Sequence, residues 1–167
     1  MRHMTTILLI ISAVLSMGAQ PKVYVDQFHN HFRMKPKEQV RVNILEDHYF
    51  TGDTIGKCMP SELFDTKTSW VVIKESWWEE ASEGHRWSLV FHELGHCVYR
   101  LQHPDGPTMT TIEDGKEHQC PWSVMHHRMA SEACFDDPKD RRWYIRELKD
   151  KVEEKYGWLE VKPSSVQ

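Results

Sequence analysis

From Trp87 to Leu101 the apolar residues recur at spacings of three and four: Trp87, Val90, Leu94, Val98 and Leu101. That spacing lines them along one stripe of an α-helix, which the rest of the chain must cover. It predicts a helix beginning after Gly84 and running to about Leu101. His92 and His96 fall beside the stripe, four residues apart, so a helix aims both imidazoles at one point above a cleft floored by the core. Two neutral imidazoles so placed are half of a tetrahedral zinc shell, and Glu93 stands where a carboxylate can act on a water held by that metal. Gly95 inside the helix costs about 1 kcal/mol against alanine, and a residue this small lets another backbone or a substrate approach.

Other elements are placed around this helix. Val40 to Leu45 is rich in β-branched residues and reads as a strand, and Trp70 to Ile73 reads as a second, more central one. Val23-Tyr24-Val25 has strand-forming residues in a run too short to define an element, and Thr51-Gly52-Asp53 signals a turn. A last helix spans Pro138 to Tyr156, with Asp137 as N-cap, Pro138 in the first turn, and Gly157 as its stop. Ile145, Leu148, Val152 and Tyr156 form its apolar line. Gln102 to Asp136 has no sustained periodicity, and long loops of this kind tend to be functional.

Composition narrows the function. The 167 residues carry a net charge of −4 with no basic run, which argues against a nucleic-acid partner. Residues 1–19 read as a signal peptide: Arg2, an apolar run from Ile7 to Leu15, then small residues around Gly18 and Ala19. Residues 20–167 read as one domain, secreted or periplasmic, with no stable membrane insertion once the signal is removed; an uncleaved N-terminal anchor is the main alternative. All four cysteines, Cys58, Cys97, Cys120 and Cys134, lie in that exported part, so one or two disulfides are expected. Four cysteines allow three pairings, and Cys120 with Cys134 closes the short loop.

The segment HELGHCVYRLQH, from His92 to His103, resembles the active-site helix of zincin metallopeptidases, and within them the metzincin type. There a third histidine follows the helix and a methionine turn lies further on; Ser123-Val124-Met125-His126 resembles that turn. The resemblance implies a small zincin-like α+β domain with a short twisted mixed sheet, an active-site helix and a C-terminal helix. It implies His92, His96 and His103 as ligands of Zn2+, Glu93 as general base and Met125 beneath the histidines. It covers Ser88 to Met125. The sequence departs from the pattern in two places: Tyr99 stands where the usual glycine leaves the helix, and His103 comes one residue late, Gln102 occupying its usual place. One extra residue can carry the helix end to Arg100-Leu101-Gln102, sparing Tyr99 a left-handed conformation.

Other third ligands compete with His103: Asp105, Glu113, Glu117, His118, His126 and His127. Asp105 can instead orient His103 through its ring N–H, and His127 can serve as a donor to the reacting carbonyl. The leading function is a secreted zinc metallopeptidase acting on peptide or protein substrates. A zinc amidase acting on cell-wall peptide or small amides shares the same chemistry, and a non-catalytic zinc-binding protein is the third reading. The stretch from Thr68 to Lys74 is the candidate substrate edge near the helix, with an interior strand as an equal alternative. Trp77 and Trp78 either line the cleft or fill the core, and Gln20 to Pro36 is a candidate cover for the cleft.

Overall fold

The computed structural model describes residues 20–32, 39–64, 67–104, 106, 108–113, 116–127 and 133–157. The signal-like residues 1–19 and Asp105 lie outside them. Among the described residues the order is α1 (Pro21–His31), β1 (Gln39–Leu45), β2 (Gly56–Met59), β3 (Thr68–Lys74), α2 (Glu75–Glu80), α3 (Glu83–Tyr99), β4 (Thr108–Glu113), β5 (Lys116–Pro121), α4 (Ala133–Asp136) and α5 (Pro138–Tyr156). The architecture is α+β, with a mixed three-stranded sheet and a separate two-stranded sheet, and among the described residues no helix is long and apolar enough to cross a membrane.

β3 is the central strand. It pairs parallel with β1, Val42 opposite Val71, and antiparallel with β2, Cys58 opposite Val71. Its Val71, Val72 and Ile73 are all buried, which is why they read as an unbroken apolar run rather than an alternation. Thr68–Lys74 is therefore not the free edge beside the helix. That edge belongs to β2, whose sequence Gly-Lys-Cys-Met offers neither β-branched residues nor alternation.

α3 runs through the middle of the core, and its stripe from Trp87 to Leu101 is buried as the spacing predicts. Ser82 caps its start, the hydroxyl accepting from the amide of His85 at 3.2 Å. On its back, α1 inserts Tyr24, Phe28 and the following Phe32, with Phe28 edge-on to Phe91 at 5.2 Å. Val23 to Val25 thus belong to a helix: Tyr24, Val25 and Phe28 share one buried face, so helical periodicity overrides local β propensity. α1 also contributes nothing to the cleft described below, and residues 33–36 of the candidate cover lie outside the described residues. α5 closes another side with Tyr144, Leu148 and Val152, and has the expected Asp137 cap and left-handed Gly157. Trp78 is buried edge-on to Tyr24, whereas Trp77 is half-buried and faces the cleft.

The disulfides are Cys120–Cys134 and Cys58–Cys97. The first joins β5 to α4, in the region with no periodicity. That region contains a hairpin, with Met109 opposite Cys120, as well as α4. The hairpin's described side chains at Thr108, Thr110, Glu117 and Gln119 are exposed, and its sequence lacks the apolar alternation that announces a half-buried strand.

Candidate metal centre

His92 and His96 leave α3 on the same side, and His103 reaches them from the segment after the helix. Their three Nε2 atoms lie 3.1 Å (92–96), 2.9 Å (96–103) and 3.1 Å (92–103) apart. Among the described residues this is the one group of three or more metal-capable side chains with converging ligand atoms. Glu117, His118, His126 and His127 do not join it, although His126 and His127 line the same cleft. The Glu113 side chain, like Asp105, falls outside what is described.

The chain delivers His103 by a route different from the expected one. α3 ends at Tyr99, and Arg100, at φ 50°, takes the left-handed conformation. The amide of Arg100 bonds to the His96 carbonyl at 3.0 Å and that of Leu101 to Gly95 at 3.2 Å, a reciprocal helix stop usually built on glycine. The turn thus comes one residue later than in the metzincin pattern, matching the one-residue delay of the histidine.

Backbone carbonyls orient two of the rings. His92 Nδ1–H donates to Val124 O at 2.8 Å, and His96 Nδ1–H donates to Leu101 O at 2.6 Å. A carbonyl can only accept, so each Nδ1 carries the proton and each Nε2 presents a lone pair. Burial pulls His92 down to about 3, and it also lowers His96 and His103, so all three imidazoles are neutral near pH 7. The Nε2 atoms of His92 and His96 therefore face each other lone pair to lone pair. This arrangement is repulsive unless a cation lies between them. Three nitrogens at metal distances of 2.0–2.1 Å and tetrahedral angles would stand about 3.3 Å apart, close to the separations found here. The triad can hold a metal ion.

Against Gly95 of the same helix lies Met125, 0 % exposed. A Cβ on Gly95 would stand 2.4 Å from its sulfur, so the small residue in the helix makes room for this side chain rather than for a backbone or a substrate. The turn bearing Met125 is fastened at Ser123, whose hydroxyl accepts from the Met125 amide at 3.0 Å and donates to Glu147 of α5 at 2.9 Å. Lys151 in turn pairs with Glu147 at 3.3 Å.

Glu93 is 5 % exposed, although it lines the cleft. Burial pushes its carboxyl up to about 7, against the pull of a hydrogen bond from the Cys58 amide. A cation on the neighbouring histidines would lower it again. The cleft has a volume of about 860 Å³, and besides the triad and Glu93 its lining includes Ile55, Gly56, Cys58, Trp77, Leu89, His126 and His127. His127 stands 6.4 Å from His103, ring to ring.

Inspection of residue types missed the groups that orient the site: Val124 O, Leu101 O and the Cys58 amide. They are backbone atoms, and no side chain advertises them. Compared with protein-family profiles, curated proteins and solved structures, the chain matches none.

Proposed function

We propose that this chain is a zinc-dependent metallopeptidase of the zincin type, metzincin-like, with His92, His96 and His103 as ligands and Glu93 as general base. One observation carries the reading: imidazole lone pairs converge within about 3 Å, with a buried carboxyl from the adjacent helix position in the same cleft. The triad uses nitrogen donors only, which suits zinc better than calcium or magnesium. With zinc bound, the site gains a Lewis acid and a water acidified toward a pKa of ~7. Glu93 takes the proton of the attacking water as its oxygen bonds to the peptide carbonyl carbon. The C–N bond then breaks, and the same carboxyl returns the proton to the leaving amine nitrogen. The edge strand β2, whose Gly56, Lys57 and Cys58 line the cleft, suits an extended peptide laid along it, with its Cys58 amide already engaged by Glu93. Met125 under Gly95 supports the metzincin likeness, and the two disulfides support a secreted or periplasmic location.

Zinc content and hydrolysis of a quenched casein substrate, measured on the parent, Glu93→Gln and His103→Ala, test this. The parent and Glu93→Gln should hold zinc, only the parent should turn over, and His103→Ala should lose metal. A parent that binds no zinc would sink the proposal. One that binds zinc but cleaves only small amides would move it to the amidase class.

A further inference from the structure

We propose that strand β2 is the positioning element for Glu93, acting through the Cys58 amide, which the Cys58–Cys97 disulfide holds in place. The inference rests on Glu93 being the general base. In the antiparallel β2–β3 pair, Lys74 N–H donates to Ile55 O at 2.9 Å, so Ile55 and Lys57 face β3. The backbone groups of Gly56 and Cys58 consequently point away from the sheet. The outward Cys58 amide does not face open solvent: it donates to the Glu93 carboxylate.

The Cys58 sulfur is bonded to Cys97, four residues after Glu93 on the same helix. Positions four apart lie one above the other. Cys58 therefore grips α3 twice on one face, by its amide at Glu93 and by its sulfur one turn on. A disulfide serving only as a staple needs the second attachment and not the first. Gly56 sets the spacing, since a Cβ there would lie 3.0 Å from Glu93 Oε1 and 3.0 Å from the Leu89 side chain. A third tie follows at the helix end, where Arg100 holds both carboxylate oxygens of Glu62 at 2.7 Å. The strand and its following turn are thus fastened at 93, 97 and 100. His92 and His96 are oriented by other groups, Val124 O and Leu101 O. Releasing β2 should therefore disturb the base and spare the metal ligands.

The test is amide hydrogen exchange by NMR on the metal-free and zinc-loaded protein, joined to steady-state kinetics on a casein peptide. In the parent the amide at position 58 should be protected although it faces outward from an edge strand. Glu93→Ala should speed its exchange about tenfold or more, the loss expected for a hydrogen bond to a charged group, with position 57 unchanged. Cys58→Ala/Cys97→Ala should do the same, retain zinc, and lower kcat about tenfold to a hundredfold with little change in KM. Exchange at position 58 indifferent to Glu93→Ala would overturn the proposal, as would an unchanged kcat or a parallel loss of zinc in the double variant. If that variant does not fold, Gly56→Ala takes its place, with zinc kept and kcat reduced, and full kcat there would equally overturn the proposal. Should the parent bind zinc and cleave no peptide, the peptidase reading fails, and exchange at position 58 still decides the positioning.

Discussion

The two halves of the site are built by opposite chemistry. The histidine half is oriented by acceptors, the carbonyls of Leu101 and Val124, which fix a proton on Nδ1 and leave a lone pair for a metal. The glutamate half is oriented by a donor, the Cys58 amide, which favours the ionised carboxylate and so opposes the burial that would neutralise it. The acceptors lie after α3 in sequence, and the donor lies before it. The histidine triad and the carboxylate therefore rest on different parts of the chain, although their residues are neighbours. Each half should be breakable while the other stays intact.

The largest break is expected from His96→Ala, which removes one of the three mutually converging ring nitrogens. Zinc should fall from about one per chain to a trace by elemental analysis, while the protein stays folded by circular dichroism and the position-58 amide keeps its protection. The converse is Glu93→Gln in the metal-free protein. The Glu93 folded-state value, about 7, lies above the ordinary 4.5, so the stability linked to its neutral form is full below 4.5 and lost as pH rises through 7. The glutamine variant should thus match the parent near pH 4 and exceed it above pH 7, by an order of magnitude of about 3 kcal/mol in urea melts. Equal stabilities at pH 8 would mean that the carboxylate is better solvated than its burial implies. Gly95→Ala should come next. The methyl would meet the Met125 sulfur, an overpacking worth about 1–3 kcal/mol, and should weaken zinc binding without changing exchange at position 58.

What the residues disclosed follows from which atoms do the work. The α3 stripe, the α5 caps and the three histidines are side-chain patterns, and each was readable because side chains carry sequence identity. The Cys120–Cys134 pairing followed from the short loop it closes. β2 was invisible: four residues, one edge free, half-buried and lacking alternation. The β4–β5 hairpin escaped for a related reason, its sequence lacking apolar alternation. α1 was obscured by Val23 and Val25, whose β-branched side chains suggest a strand until Tyr24 and Phe28 are seen to share a helical face. The three backbone groups that aim the site have no sequence signature.

Arg100→Gly gives the smallest effect and the sharpest comparison, because Arg100 serves both halves with different atoms. Its left-handed backbone turns the chain so that Leu101 O meets His96, and its guanidinium ties Glu62, beyond β2, to the helix end. Glycine keeps the turn, since it adopts positive φ without the penalty of about 1–2 kcal/mol that an L side chain bears there. It removes an ion pair in which Glu62 is well exposed, worth about 0.2–1 kcal/mol. Glycine also costs about 0.5–1 kcal/mol in backbone entropy, so the terms nearly cancel and stability should change by no more than about 1 kcal/mol, with either sign. The informative readouts are the site's own. Zinc affinity, which depends on the turn, should hold, while exchange at position 58, which depends on the tether, should rise slightly. Zinc loss without a change at position 58 would mean that the side chain, not the left-handed backbone, is what places His103.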